Sequence, residues 1–420
     1  MKLIGVIGAG PAGLLAGAYA AKNGARAEII DKNERAGRKL FLTGKGRCNI
    51  TNGADRDGFL KNTPRNGRFL YSAFDTFFSN DIIDILRSEG VPAKLERGER
   101  YFPESDKSSD VIRALVSYAS KCGARLLLGT AVDSLEPCEG GGFDLRLNGM
   151  HGGKKHYDAV VIATGGLSYS STGSTGDGYR FAEAFGHTVV PPKPSLIPFE
   201  TEESWPCELM GLSLKNVTLR AYKKGADGGK NGKKPKPVYE ELGEMLFTHF
   251  GVSGPLVLSA SSMLADDPAG AVLTVDLKPA LSPEQLDARL LRDFEKYKHK
   301  QVKNAMTDLL PQRLIDTVLM LAGVPAEKSI DELTREERAA IAGTLKCMRM
   351  TVKRARPIDE AIITRGGVSV KEIDPRTMES KLVPGLYFAG EVIDADACTG
   401  GFNLQIAWST GAVAGMSAAE

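Results

Sequence analysis

Two periodicities alternate along this chain. Short, mostly apolar runs occur at residues 3–7 ("LIGVI"), 27–30 ("AEII", with one acid), 159–162 ("AVVI") and 386–388 ("LYF"). Runs of that length without polar alternation predict strands buried on both faces of a parallel sheet. Between residues 69 and 121 the pattern changes. "FLYSAFDTFFSNDIIDILRSEG" and "SSDVIRALVSYASKCG" repeat every three to four positions and predict amphipathic helices, the second with Ser108 or Ser109 as N-cap and Gly123 as C-cap. "ARLLLGTAVDSLEP", "FDLRLNG" and "HYDAVVIATGG" then read as strands joined by glycine-rich turns.

From about Pro191 the texture shifts again. "PPKPSLIP" predicts a proline-rich linker. Short strand-like runs follow ("LKNVTLRAY", "GEMLFTHFG", "GAVLTVDLK"), and after residue 281 the helical period returns. "SPEQLDARLLRDFEKYKHK" has a clear start signal: Ser282 as N-cap, Pro283 at the first position and Gln285 at the third. "PQRLIDTVLMLAG" and "SIDELTREERAAIAGTLKC" continue the helical character to about residue 347. These patterns divide the chain into a discontinuous α/β domain (residues 1–193 and 355–420), a β-rich barrel-like insertion (194–280) and a helical insertion (281–354).

Composition narrows the class. The chain has 420 residues, 42% hydrophobic and 25% charged, which suits two or three globular domains. A formal net charge of +2 argues against a dedicated polyanion binder. Its six cysteines are scattered, with no Cys-x-x-Cys and no histidine partner at zinc spacing, so a reduced cytoplasmic chain is expected, with neither a disulfide framework nor a zinc site. Lys2 and the apolar run after it resemble the start of a signal peptide. The glycines at 8, 10 and 13 have a spacing that a leader has no use for, so none is expected. No other window approaches the roughly 18 apolar residues of a membrane span.

Those glycines carry the first candidate chemistry. Gly8-x-Gly10-x-x-Gly13 follows a strand and opens a helix that begins Pro11-Ala12. Gly8 permits the tight turn, Gly10 lets the backbone approach a pyrophosphate, and Gly13 lets helix pack on strand. The helix N-terminus offers free N–H groups and a positive dipole end. Asp31, at the end of the second strand and 18 residues beyond Gly13, is placed to accept from an adenosine ribose.

A stretch at residues 37–52, "GRKLFLTGKGRCNITN", separates FAD from NAD as the dinucleotide. A nicotinamide module would continue into a third βα unit. Here the chain enters a glycine-rich basic loop suited to lie along an extended cofactor, with cations for its phosphates. Thr164-Gly165-Gly166 ends a buried strand where an Ala-Thr-Gly segment crosses beside the cofactor in two-dinucleotide-binding flavoproteins. Gly390-Glu391 ends another, where an acid would bind ribityl hydroxyls. "CTGGFNLQIAWSTGAVAG" reads as a turn opening a helix aimed at the flavin pyrimidine edge. Val132 is placed against the adenine. No second Gly-x-Gly-x-x-Gly unit follows a strand, so NAD(P)H is expected only as a transient reductant at the flavin face.

These motifs, with "TGSTGDGY", "LFTHFGVSGP", "TRGGVSVKEIDPRTMESK" and "GLYFAGEVIDADACTGGFNLQIAWSTG", resemble end to end a bacterial family of FAD-binding flavoproteins. Its members include NAD(P)/FAD-dependent oxidoreductases, aminoacetone oxidases and BaiN-like bile-acid 4,6-reductases. The resemblance implies a two-dinucleotide-binding, glutathione-reductase-like Rossmann FAD domain interrupted by a β-barrel-like and a small helical domain. It implies that Gly8, Gly10, Gly13, Asp31, Lys32, Arg38, Lys39, Gly44, Arg47, Cys48 and Asn49 line the cofactor, with Gly390, Asp394, Gly401, Phe402, Asn403 and Leu404. Cys398 departs from the aromatic or small residue often found before Thr-Gly-Gly, and is given no redox role.

The expected chemistry is hydride transfer through flavin N5 to an activated C=C bond of a small organic substrate, with NAD(P)H as donor. Candidates for proton donor or substrate ligand are His249, Tyr169 and Arg365. A structural histidine, a packed tyrosine and a structural salt bridge are the bland readings of the three. Cys48 is expected to be a small packing residue rather than a redox thiol. An oxidase of a small amine, producing peroxide, is the alternative. A third class, a flavoprotein acting on RNA, rests only on "KKGADGGKNGKKPKPVY" (residues 223–239). Without interleaved aromatics, that stretch is expected to be a solvated hairpin tip, with no nucleic-acid partner.

Overall fold

The computed structural model describes residues 1–226 and 235–420, in two compact units: residues 1–195 with 358–420, and residues 196–357. Lys230, Lys233 and Lys234 of the lysine-rich stretch lie outside the described residues.

The first unit is built on a parallel sheet. Its strands are β1 (Leu3–Ile7), β2 (Arg26–Ile30), β3 (Arg125–Leu127), β4 (Ala159–Ile162) and β5 (Leu386–Phe388), in the order β3-β2-β1-β4-β5. This is the Rossmann order, in which the crossover direction reverses beside β1 and opens a crevice at the strands' carboxyl ends. All of β4 and β5 is buried, as their unbroken apolar sequence requires. Tyr157, fully buried, donates to Glu28 Oε2 at 2.8 Å, which keeps the one acid inside β2 satisfied.

Two helices meet beneath the crevice, Pro11–Lys22 and Phe402–Ala419. Cβ atoms at Gly411 and Gly415 would overlap the carbonyl oxygens of Ala12 and Ala16. The two helices therefore touch backbone to backbone, a contact that only glycine at these positions allows. The C-terminal helix is buried along most of its length, which is why it is apolar on every face.

Several sequence expectations are corrected here. "PPKPS" is not a linker but part of a strand, Val189–Ser195, antiparallel to Ile363–Val368. Pro191 and Pro192 fall in the register shift between Val190 and Lys193, where no ladder N–H is needed. The helix over residues 69–90 breaks into Tyr71–Thr76 and Ser79–Ser88, with Phe77 extended between them. The "ARLLLGTAVDSLEP" strand splits into β3 and Thr130–Pro137. The latter joins Phe143–Gly149 and Gly153–Tyr157 in a separate three-stranded sheet. The helix Ser108–Lys121 takes Lys107 as its N-cap, and the Ser108 hydroxyl donates to Phe41 O instead.

The second unit is a closed barrel in the order Phe199–Thr201, Gly251–Ser253, Tyr239–Thr248, Ser213–Tyr222, Val272–Asp276 and Met348–Ala355. Helices Pro283–Lys296, Gln312–Ala322 and Arg335–Lys346 bury Leu286, Leu290, Leu314, Val318, Ile341 and Leu345 in the same core as barrel residues Leu219, Phe247 and Met350. The barrel and helical segments share one interior. Ser282 caps its helix as expected, accepting from Gln285 N–H at 3.2 Å while Gln285 Oε1 accepts from Ser282 N–H at 2.9 Å.

Candidate active site

The Gly-x-Gly-x-x-Gly turn lies between β1 and the first helix. Gly8 has φ 112°, and a Cβ at Gly13 would overlap Gly8 O, so turn and helix are in direct backbone contact. Gly10 is different. It is the helix N-cap, with ordinary φ of −80°, and a Cβ there would meet nothing within 4 Å. The first intrahelical bond runs from Leu14 N–H to Gly10 O at 2.9 Å, leaving the amides of Ala12 and Gly13 without intrahelical acceptors. Open space in front of free amides at a helix N-terminus fits a pyrophosphate. Asp31 accepts from Ala9 N–H at 2.7 Å and from Asn33 N–H at 2.8 Å, so its carboxylate is held at the edge of the same turn. Val132 is half-buried in the three-stranded sheet of the same unit.

The basic stretch is not an open loop. It forms a short helix, Arg38–Leu42, entered through Gly37 at φ 70°, then a tight turn over Thr43–Gly46 and a two-residue strand, Thr51–Asn52. Its end is tied to the start of the C-terminal helix. With its amide oriented to satisfy both ends, Asn49 accepts from Gly401 N–H at 2.9 Å. Thr51 Oγ1 donates to Gln405 Oε1 at 2.6 Å, Asn52 Nδ2 to Gly400 O at 2.9 Å, and Trp408 Nε1 to Ile50 O at 2.9 Å. Residues 348–358 positions apart in sequence thus form one buried junction.

The cations of the stretch have separate partners. Lys39 Nζ donates to Glu391 Oε2 and to Ser168 Oγ, each at 2.6 Å. Glu391 Oε1 also accepts from Ser168 Oγ at 3.1 Å and Thr364 N–H at 2.8 Å. A Cβ at Gly166 would lie 2.9 Å from Glu391 Oε1. Lys39, Gly166 and Glu391, from three distant candidate segments, therefore converge. Arg47 pairs with Glu96 at 2.5 Å and Asp106 at 2.6 Å and stacks 4.1 Å from the Phe102 ring centre. Arg47 thus braces the stretch against the strands beside it. Arg38 is exposed and donates to Asn33 Oδ1, and Lys32 pairs with Asp177 at 2.7 Å. Gly44, at φ 59°, packs against Asn49 N and Phe102.

Cys48 is fully buried at φ 62°, and burial pushes its thiol up to about 12. It is a neutral packing group at physiological pH. In the folded protein, alkylation at pH 8 is expected to label exposed Cys347 within minutes and to leave Cys48 unmodified until denaturant is added. Peptide mass spectrometry reads this directly, and labelling of Cys48 without denaturant would show that it is accessible.

Beyond these contacts, buried polar atoms remain unsatisfied. Thr164 Oγ1, Tyr179 Oη, Asp394 Oδ1 and Asp396 Oδ1 have no hydrogen-bond partner although all are shielded from solvent. An orphaned buried polar atom is costly and marks a missing group. Asp394 is held by Asn66 Nδ2 at 3.0 Å and Arg65 at 3.5 Å, and Asp396 by Ser195 Oγ at 2.8 Å. Burial, with a smaller push from Asp394, raises the pKa of Asp396. Burial, with Glu391 and Asp394 nearby, likewise raises that of Tyr179. Hydroxyls and carboxylates waiting for partners, in the unit that carries the open helix N-terminus, are the complement of a ribityl chain and its polar ring edge. The residues present fit FAD.

Of the candidate catalytic residues, Arg365 and Tyr169 belong to the first unit and His249 to the second. Arg365 is buried in the strand Ile363–Val368, opposite Lys193. Tyr169 is half-buried at φ 53°, and burial, with Glu360, raises its pKa. His249 is exposed in the barrel unit, in the turn after Tyr239–Thr248, with its ring edge-on to Phe250. Ser168, Thr364, Tyr179, Asp396 and Gln405 were not singled out by the sequence motifs. Only Asp396 left a visible signal, the alternating acids of "DADAC".

Known proteins give the same picture. The profile of the HI0933-like protein Rossmann domain matches residues 2–417. The ribosomal RNA dihydrouridine synthase of Escherichia coli (strain K12) is 33% identical over 96% of this chain and 95% of its own. The 3-dehydro-bile acid delta(4,6)-reductase of Clostridium scindens is 29% identical over 100% of both chains. Among solved structures, 3-ketosteroid-delta4-(5alpha)-dehydrogenase from Rhodococcus jostii RHA1 aligns with a TM-score of 0.52 at 16% identity, over 99% of this chain and 96% of that one, a likeness of fold. With the Rossmann strand order, the phosphate-ready helix and the unsatisfied polar lining, the chain belongs to the HI0933-like Rossmann family and is an FAD-dependent oxidoreductase.

Proposed function

We propose that the protein is a reductase that adds hydride and a proton across a carbon–carbon double bond conjugated to a carbonyl, with NAD(P)H as the source of electrons. FAD, when bound, supplies hydride chemistry at its N5. The observation that carries the reading is a shared outcome. Two relatives aligned over nearly their whole length are named a ribosomal RNA dihydrouridine synthase and a 3-dehydro-bile acid delta(4,6)-reductase, and a hydride added to a carbonyl-conjugated double bond is the chemistry we infer that the two names share.

The chain's own tasks follow from that chemistry. A donor must face the carbonyl oxygen, where negative charge grows. Arg365 and the neutral phenol of Tyr169 are the proposed donors. A proton must reach the α-carbon, and His249 is the proposed carrier. Lys39 and Glu391 are assigned to orienting the cofactor, because each is already fixed by the other and by Ser168.

A second reading concerns the substrate. The 33% relative favours a uracil ring in ribosomal RNA over a free small molecule. Anaerobic stopped-flow tests the class: NADH or NADPH is expected to bleach the flavin, and an enone or a uridine-containing RNA to restore its colour. If neither nicotinamide bleaches it but a primary amine does, with peroxide forming in air, the reductase reading fails and the amine oxidase stands. Nucleoside mass spectrometry of ribosomal RNA from cells lacking the gene separates the substrates. Loss of dihydrouridine selects RNA, and unchanged dihydrouridine selects a small molecule.

A further inference from the structure

The three-stranded sheet of residues 130–157 carries a group of side chains that the flavin chemistry does not use. Cys138 follows the strand Thr130–Pro137, Asp144 lies on Phe143–Gly149, and His156 lies on Gly153–Tyr157. Asp144 and His156 are direct cross-strand partners. One ligand atom from each of the three lies within 4.8 Å of the others. Cys138 Sγ is 3.6 Å from His156 Nδ1, which is 3.1 Å from Asp144 Oδ1.

These separations can be compared with a metal polyhedron. Zinc binds sulfur at about 2.3 Å, and imidazole nitrogen and carboxylate oxygen at about 2.0–2.2 Å, in a tetrahedron. Those bond lengths place sulfur and nitrogen about 3.6 Å apart, and nitrogen and oxygen about 3.4 Å apart. The sulfur–nitrogen spacing already matches, the nitrogen–oxygen spacing needs a few tenths of an ångström, and the third pair lies within 4.8 Å, all within the reach of side-chain rotation.

The surroundings hold the three in place. The turn after Thr130–Pro137 is closed by Cys138 N–H to Gly142 O at 3.0 Å and Gly141 N–H to Cys138 O at 2.9 Å, which fixes the cysteine backbone. A Cβ at Gly142 would lie 2.9 Å from His156 Cε1, so a glycine there leaves room for the imidazole to sit beside the turn. Lys154 Nζ binds Asp144 Oδ2 at 2.7 Å and leaves Oδ1 turned towards His156. That is the arrangement of an outer partner that orients a carboxylate ligand. His156 is half-exposed, so an ion and a water as fourth ligand have access from solvent.

We propose that Cys138, Asp144 and His156 form a site for a divalent transition metal of the zinc class, completed by water. A thiolate, a carboxylate and a neutral imidazole suit a borderline-soft ion rather than calcium or magnesium, which prefer oxygen alone. One thiolate and one carboxylate balance the ion's two charges, and binding releases the thiol proton. The ion would clip the ends of three strands together.

The test uses the FAD-loaded protein, reduced, stripped with a chelator and titrated with Zn²⁺ by calorimetry. One equivalent is expected to bind. The zinc X-ray absorption edge is expected to show one sulfur ligand with the rest nitrogen or oxygen. Cys138→Ser and His156→Ala are each expected to weaken binding at least tenfold, while Cys347→Ser, at an exposed cysteine elsewhere, leaves it unchanged. All three variants should keep their flavin spectrum, which shows that they are folded. Absence of saturable binding, zinc without sulfur ligation, or equal affinity in Cys138→Ser would each overturn the site.

Discussion

Alanine at position 10 is expected to give a protein that folds as the native chain does but is purified largely without FAD. The added Cβ meets nothing within 4 Å and the backbone has φ −80°, so the apoprotein pays no steric cost. The methyl group instead enters the space in front of the first helix, where the pyrophosphate must approach the amides. Overpacking of that kind costs about 1–3 kcal/mol, or roughly ten- to a hundredfold in affinity. Gly13→Ala separates cofactor loss from fold loss. Its Cβ would overlap Gly8 O, so it should lower the Tm of the apoprotein as well. Flavin fluorescence titration and an apoprotein melt measure both. Native FAD affinity in Gly10→Ala would show that the phosphates lie elsewhere.

The second large effect is expected at the far end of the chain. Gly411→Val and Gly415→Val should each destabilise the α/β unit by about 3 kcal/mol or more, because the side chain would have to occupy the carbonyl oxygens of Ala12 and Ala16. The two helices would separate, and with them the phosphate turn and the Gly401 junction that pins residues 49–52. Loss of soluble yield and a lower temperature of flavin release are the readouts. Gly343→Ala is the opposite control. It lies in the exposed face of the helix Arg335–Lys346 with nothing within 4 Å of a new Cβ, and alanine there should add about 0.5–1 kcal/mol. Valine tolerated at 411 and 415 would mean that the helices can slide apart without loss.

Much of this architecture was legible because it is local. The apolar run, Gly8, Gly10, Gly13 and the acid at 31 are all within one βα unit, so the sequence shows strand, turn and helix together. The capping box at Ser282 was readable for the same reason, since its partners lie three residues apart. The basic stretch was read correctly as special but not as to form. Gly37 starts a helix of only five residues, with Leu40 buried, too short for the sequence period to reveal. Its charges looked alike in sequence and proved different. Lys39 is committed to Glu391, 352 residues away, and Arg47 to Glu96 and Asp106.

By itself, the sequence determined the cofactor class and the Rossmann order of events along the chain. Backbone geometry near glycine and burial of short apolar runs are local properties, and sequence records them. Only the tertiary structure decided which cation meets which acid, that a proline-rich stretch becomes an edge strand, that Gly411 and Gly415 serve as the contact face of the last helix, and that Cys138, Asp144 and His156 face one another. Each depends on residues brought together across tens to hundreds of positions, and the electrostatics and close packing that result exist only once the chain has folded.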